Sequence, residues 1–599
     1  ATVNPDFGQV EVDPAVVNLT AFETFFPEKR PFFVAERDLF GFGDIRTFNS
    51  YGVPTLFFSR RIGRQPQRAL FGSDIAFVDA PDQTTIDAAA KITGKTAGGW
   101  SIALLDAVTA AERARFADGN GARGSAPVEP LTNYFVTRMR REINQANTAV
   151  GVLLTGVSRD LTDDVLESQL RRNAYVGGVD LNHSWRNRSW FLDGSIAASR
   201  VAGTKDVIAQ TQQSSAHYFQ RPDSKHLTYD PDRTDLTGTF GQAALIKASA
   251  PWGGNLAYQW TSPGFESNDL GFERTGDRRA VSTDFHYIQT KPGWLFRDWT
   301  FGQFNNLTWN YDGDRVFNNY AAFFEATPKN FSHFFIRMDY SRHIYDDRLT
   351  RGGPVARIPS SVNTDIFYAT DRRKRWVVEV EWGQNHGRAG LWQQAVNVNL
   401  AVQPAPGVRL TLSPQYSADH SLSQFITSVP DPLATSTFGR RYIFATLSQR
   451  SLAMVTRADW TFTPALSLQL FAQPFVASGD YKDFKELDRG RTFDFSVYGR
   501  DRGSITRDAD TYTIDPDGDP ATSNLITIGN PNFNFRSLRG NAVVRWEYRP
   551  GSTLFFVWQQ QRSGEESLGN FRFGRDYGAL FRQRPENVFT IKATYWLAR

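Results

Sequence analysis

Between residues 376 and 416 the chain alternates with a period of two, and few folds accommodate the way it does so. Along 376–382 one parity reads Trp376, Val378, Val380, Trp382 and the other reads Val377, Glu379, Glu381, Gly383. After a break at 384–390, Val396, Val398, Leu400 and Val402 share a side against Gln393, Asn397 and Asn399. Pro404, Pro406 and Gly407 turn the chain, and Val408, Leu410, Leu412 and Tyr416 then oppose Arg409, Thr411, Ser413 and Gln415. Successive strand side chains point to opposite faces, so each run has one apolar and one polar face. A soluble β-sandwich alternates too. Here, however, the apolar face ends in Trp or Tyr and the polar face carries charge and amides. That combination predicts a closed barrel in lipid, with aromatic residues at the two interfaces and a polar lumen.

Composition narrows the choice. The chain has 599 residues and no cysteine, so neither a disulfide framework nor a thiolate metal site is available. Its 67 basic and 63 acidic residues nearly cancel, which argues against nucleic acid as a partner. Mean hydropathy is −0.42, and no window reaches the roughly 18 apolar residues that a membrane-spanning helix needs. Hydropathy is nevertheless a poor guide to barrels, which show instead in aromatics, and 14% of this chain is aromatic. The expected class is therefore all-β: one large transmembrane antiparallel β-barrel of the bacterial outer membrane, surrounded by outer-membrane lipid and lipopolysaccharide.

Read in order, residues 1–52 do not suit lipid. The stretches 4–14 (NPDFGQVEVDP) and 18–33 (NLTAFETFFPEKRPFF) mix prolines, charges and aromatics. Backbone that pairs with nothing is too costly against hydrocarbon. From Val53 onward the reading is of paired strands, residues 53–599. Short connections such as 95–99, 144–148, 186–188, 372–375 and 403–407 alternate with long polar ones, among them 63–83, 110–129, 203–236, 263–278, 343–362, 418–437, 478–534 and 565–585. Short turns on one rim and long loops on the other are expected of an outer-membrane barrel. Parity never slips along 440–463, which predicts a single strand projecting past the bilayer, and the tally is about 22 strands, with 24 or 26 also compatible. The last strand, 588–597, offers Phe589, Ile591, Ala593, Tyr595 and Leu597 to lipid; the chain then ends Leu597, Ala598, Arg599 rather than on an aromatic residue.

About 22 strands imply a backbone diameter of roughly 40–45 Å, too wide to stand open. Residues 1–52 are the expected plug, with Asp6, Glu11, Asp13, Glu28, Lys29 and Arg30 as its candidate polar contacts. The long loops 203–236 and 478–534 would fill the remainder. The competing expectation is a periplasmic segment.

Candidate chemistry is sparse. Glu379, Glu381, Arg409, Asn397, Asn399, Arg457 and Asp459 are candidate lumen-lining residues, with Glu379, Glu381 and Arg409 as an ion-pair ladder on the inner wall. Asp106 and the arginines of 138–141 suggest a similar wall. Asp515, Asp517 and Asp519 stand at alternate positions, like the start of a calcium loop, but Pro520 replaces the loop glycine and no closing Glu follows. Lys91–Thr96 has the tail of a phosphate-binding loop (KITGKT) without its first glycine. The histidines at 183, 217, 226, 286, 333, 343, 386 and 420 have no metal-ligand spacing and fall near strand ends or in loops. No nucleophile elbow is present, so no cofactor and no enzyme activity are expected.

The stretch 4–33, together with Ser59, Arg60, Arg61, Ile62 and Gly63, then 218–222 (YFQRP) and 541–555 (NAVVRWEYRPGSTLF), resembles a bacterial outer-membrane family. In that family a C-terminal β-barrel domain of unknown function follows a family-9-type carbohydrate-binding module. The resemblance covers essentially the whole chain, implies the barrel fold, and carries over no catalytic residues. Ala1 stands where the barrel domain would begin, so a processed or partial product is expected. The implied function is a gated or plugged, porin-like channel or receptor for solute transport, with a carbohydrate-related role implied only by the accompanying module. The alternative is a structural, assembly or export barrel holding a periplasmic or surface protein partner; a loop-borne enzyme site is a third reading.

Overall fold

A computed structural model of the chain describes residues 2–3, 13–43, 52–72, 74–519 and 524–596. Its long elements are strands. Twenty-three belong to the large antiparallel sheet, of which Thr2–Val3 and Phe495–Val497 are only two and three residues long. The all-β class and a strand number near 22 both agree with the alternation.

Contacts divide the chain into two compact units: 1–8, 20–285 and 304–318 form the first, and 9–19, 286–303 and 319–599 the second. In the first unit Ile86–Lys95, Trp100–Thr109, Thr132–Ile143, Thr148–Arg159, Asn173–Trp185, Trp190–Ala202, Asp235–Lys247 and Trp252–Thr261 pair in chain order, all antiparallel. One row across these strands reads Gly94, Ile102, Met139, Val152, Val179, Ile196, Gly241, Trp260. The row beside it, on the other face, reads Arg140, Gly151, Asp180, Ser195, Gln242, Gln259. The apolar row faces outward: Val152 is 41%, Val179 48% and Ile196 47% exposed, whereas Asp180 is 6% and Gln242 2% exposed.

In the second unit the ladder runs from His333–Ser341 through Ser361–Ala369, Trp376–Gly387, Trp392–Ala405, Val408–Pro430, Arg440–Thr463, Leu466–Leu487, Phe533–Arg549 and Ser552–Glu566 to Glu586–Thr594. An uninterrupted apolar row, Trp376, Val402, Leu410, Ala458, Leu470, Ala542, Trp558, Phe589, crosses eight of these strands. It is the face that parity assigned to lipid.

Several expectations are corrected. The first long strand is Ile86–Lys95, not one starting at Val53; residues 59–61 form a 3₁₀ turn. The connections 63–83 and 110–129 are not bare loops, since Ile75–Asp79, Glu112–Asp118 and Arg123–Glu129 make a small sheet of their own. Residues 418–430, expected in a loop, continue the strand Val408–Pro430, because Tyr416, Ala418 and His420 stay in register with Leu452, Arg450 and Ser448. Arg440–Thr463 is one strand of 24 residues, as its unbroken parity required, and Leu466–Leu487 runs beside it for 22. Of the expected loop 478–534, residues 478–487 extend the strand Leu466–Leu487, and Ser504–Asp508, Thr511–Asp515 and Ile526–Gly529 make a small sheet. Leu597, Ala598 and Arg599 lie outside the described residues.

Candidate functional site

In the first unit the polar face is covered by the chain's own N-terminal segment. Arg138 reaches from Thr132–Ile143 to Asp180 on Asn173–Trp185 and donates to both carboxylate oxygens, at 2.8 and 2.7 Å. The intervening residue is Gly151, where an added Cβ would sit 2.1 Å from Arg138 Nη1 and 2.3 Å from Asp180 Oδ1. Glycine is therefore what lets this pair form across a strand. The pair is then capped from above: Arg138 Nε donates to Gly41 O at 2.9 Å, the Gly43 N–H donates to Asp180 Oδ2 at 3.2 Å, and the Phe42 ring lies 5.6 Å from the guanidinium. Gln242 Nε2 donates to Gly43 O. At Gly178 a Cβ would fall 2.6 Å from Phe42, so the sheet is indented where the ring rests. With both ions buried, removing one would leave an uncompensated charge and cost about 3–5 kcal/mol.

The candidate plug residues are partly placed. Glu28 and Arg30 form a buried bidentate pair; Arg30 also donates to Ser59 O (2.8 Å) and Ile62 O (2.7 Å), and the Ser59 hydroxyl donates to Glu28. Arg61 clasps Glu23 at 2.8 Å through both terminal nitrogens and donates to Gly271 O. The motif 59–63 thus has a role: it fastens the segment to itself and to the 263–278 connection. The Lys29 N–H donates to Glu28 Oε1 at 3.0 Å. Lys91 donates to Phe32 O and Ala35 O. Asp13 is elsewhere, its carbonyl accepting from Arg539 at 2.6 Å within the second unit. Asp6 and Glu11 lie outside the described residues. Beside these anchors a cavity of about 700 Å³ is lined by Phe25, Phe33, Phe40, Phe42, Phe57 and Phe58, with Glu28, Arg37 and Asp38 among its polar groups.

Two charge clusters tie the long connections of this unit. Glu266 receives Arg171 (3.2 Å) and faces His217 Nε2 (3.1 Å), and Asp269 is held by Arg159 (2.8 Å) and Arg171 (2.9 Å). Burial alone would raise the Glu266 carboxyl, but Arg171 and His217 outweigh it and hold the group well below its ordinary value. Glu273 has no such cation; burial and the nearby Glu266 charge push it well above the carboxylate range. The second cluster centres on His226. Its Nε2 lies 2.8 Å from Asp277 Oδ1 and its Nδ1 2.8 Å from Asp312 Oδ1, while Arg221 pairs with Asp312 at 2.9 Å. Both ring nitrogens can donate to these carboxylates only in the imidazolium form. Burial depresses its pKa, and the hydrogen bonds and charges of Asp277 and Asp312 more than reverse that, leaving it raised.

The lumen-lining candidates lie in the second unit, all on the polar face. Glu379 accepts from Arg372 (2.8 Å) and Asn399 (3.1 Å), and Glu381 accepts from Asn397 (3.2 Å). The expected ladder of Glu379 and Glu381 with Arg409 is not what forms. Arg409 is in register with Asp459, two strands from the glutamates, and Arg457 stacks over Phe471 at 5.0 Å. Across the strand Trp392–Ala405, Leu410 is level with Val402 and Trp376 while Glu379 and Glu381 are level with Asn399 and Asn397, so Arg409 is displaced along the strands as well as separated by that strand. Unlike Arg138 and Asp180, residues Glu381, Arg409, Arg457 and Asp459 are exposed. At 515–519 the carboxylates serve turns: Asp515 Oδ1 accepts from the Gly518 N–H and Asp517 Oδ1 from the Asp519 N–H. Among the described residues no group of three or more His, Asp or Glu is arranged to hold a metal, and residues 520–523 lie outside them.

Sequence reasoning missed the His217 and His226 clusters because their carboxylates come from connections 40–90 residues away, with no spacing to betray them. The motif 218–222 was the available signal, since it contains Arg221 and lies beside His217.

Comparison with known proteins adds three findings. No curated protein matches the sequence. Among solved structures the chain is similar to one described as "Copper transporter OprC", with 10% identity and a TM-score of 0.31, over 88% of this chain and 83% of that one. The family model for the "Domain of unknown function (DUF5916)" matches residues 1–598, and the chain belongs to that family.

Proposed function

We propose that this chain is a bacterial outer-membrane β-barrel that admits or captures a solute, its lumen partly filled by residues 1–52. The observation that carries the reading is the inverted burial. Leu154, Val179, Ile196, Leu256 and Tyr258 are 43–56% exposed, while Arg138, Asp180, Asp193, Gln242 and Gln259 on the other face are at most 6% exposed. In water this arrangement wastes apolar burial on every strand. In hydrocarbon it is the favourable one, provided the sheet closes so that no edge is left unpaired. Segment 20–43 lies on the polar face, held by the Arg138–Asp180 pair and by Gln242, as a plug would be. The phenylalanine-lined cavity in that segment, with Arg37 and Asp38 at hand, suits a small polar ring such as a sugar, which stacks on aromatic faces and hydrogen-bonds at its rim.

Deleting 1–52 and measuring single-channel conductance in planar bilayers tests the proposal. A sharp rise over the full chain is expected. Unchanged conductance would remove the plug.

A further inference from the structure

The second unit contains a ten-residue helix, Phe573–Arg582, in the connection between Ser552–Glu566 and Glu586–Thr594. It packs on the apolar-parity face of the strands, where lipid is expected, and not on the polar face. Along Phe533–Arg549 that face reads Trp546, Val544, Ala542, Gly540, Leu538 and then changes to Arg536 and Asn534. Along Ser552–Glu566 it reads Leu554, Phe556, Trp558 and then Gln560, Arg562, Gly564. Register pairs Ala542 with Trp558, Gly540 with Gln560 and Leu538 with Arg562, so the apolar run ends at Trp558 on Ser552–Glu566 and further along, at Leu538, on Phe533–Arg549. From Trp546 to Leu538 is eight steps of about 3.3 Å, roughly 26 Å, the height of an outer-membrane apolar band.

The helix begins where that band stops. Trp546 is 47% exposed, yet Arg536 and Asn534 on the same face are 1% and 0% exposed. Asn534 Nδ2 donates to Asn570 O (3.1 Å), Arg562 donates to Phe581 O (2.6 Å), Tyr577 donates to Leu452 O (3.4 Å), and Gln583 lies over Gly564. Asp576, Tyr577 and Leu580 form the buried side of the helix. Its free side is cationic and aromatic. Arg572, Arg582 and Arg584 are exposed, as are Phe573 (57%) and Phe581 (55%). Arg575 is paired with Asp576 at 2.6 Å, but no ion pair engages the other three arginines among the described residues.

We propose that this helix is a headgroup clamp: Arg572, Arg582 and Arg584 bind the phosphates of an anionic outer-leaflet lipid, and Phe573 and Phe581 enter the top of its acyl layer. The proposal rests on the outer-membrane reading above. Charge complementarity and continuity with the apolar band select the occupant. Guanidinium groups match phosphate geometry, and a short amphipathic helix at the band's edge lies where headgroups are.

The test uses the full chain purified in detergent, with diphosphoryl lipid A, its dephosphorylated form and inorganic phosphate as probes, read by native mass spectrometry. The full chain is expected to retain diphosphoryl lipid A. The triple variant Arg572→Gln, Arg582→Gln, Arg584→Gln is expected to bind it about fivefold more weakly per arginine, and dephosphorylated lipid A is expected to bind both poorly. Equal retention by the triple variant overturns the clamp, as does displacement by inorganic phosphate at equal concentration. Should the triple variant fold poorly, Arg582→Gln alone carries about a fivefold loss, and no loss there is equally fatal. A chain that needs no detergent defeats the outer-membrane reading. A chain that needs detergent while its triple variant keeps the lipid defeats the clamp alone.

Discussion

Two patches of polar face, one in each unit, are built from similar residues to opposite ends. Around Arg138 and Asp180 the charges are buried, bidentate and capped by the backbone of 41–43. Around Glu381, Arg409, Arg457 and Asp459 they are exposed, and Glu381 accepts a hydrogen bond from Asn397 rather than an ion pair. Strand pattern alone does not distinguish the two faces. The difference is what lies over them, and it converts the same residue types from wall lining into anchors.

That contrast can be broken by substitution. The largest expected effect is at the capped face: Arg138→Ala should lower stability by about 3–5 kcal/mol in detergent, because Asp180 is left as a buried unpaired charge. A loss below about 1 kcal/mol would mean that the pair is solvated, like its counterparts elsewhere. Next comes the outward face. Leu154→Arg should cost about 2–4 kcal/mol in lipid and almost nothing if that face meets water, as judged by heat-modifiable gel mobility and folding yield in vesicles. Smaller still is Arg409→Ala, expected to change stability by less than about 0.5 kcal/mol, since its neighbourhood is open. A penalty as large as that for Arg138 would show that something covers this face as well.

The pH response sharpens the same division, because only buried clusters should titrate visibly. The His226 pKa is raised in the folded state, so its contribution is complete below the unfolded value near 6.5 and fades as pH rises through the higher folded value. Hydrogen exchange in 224–228 and 310–314 should therefore quicken as pH rises above about 6.5. In His226→Gln it should be fast throughout, with no pH dependence from this source. Exchange that slows as pH rises, after correction for intrinsic rates, would contradict the assignment.

How much of this was legible in the sequence depended on range. Parity fixed the strands and their faces because it is local: Trp376, Val378 and Val380 declare one side without reference to any neighbour. The unbroken strand Arg440–Thr463 could be read for the same reason. Partners could not be read, since register sets them, and Glu379 consequently found Arg372 rather than Arg409. The covering of the Arg138–Asp180 pair by 41–43 was invisible because it joins residues about 100 and 140 positions apart. The strand 418–430 was mistaken for a loop because Asp419, His420 and the serines there carry loop chemistry, and pairing with 440–451 overrides it.

The central claim is that the apolar rows face hydrocarbon and the polar rows face an aqueous interior. Nitroxide labels at Leu154, Val179 and Ile196, and separately at Arg457 and Asp459, measure this in lipid vesicles through their collision rates with oxygen and with a water-soluble nickel chelate. Oxygen should dominate at the first three positions and the nickel complex at the last two. Nickel dominance at Leu154, Val179 and Ile196 would contradict the account.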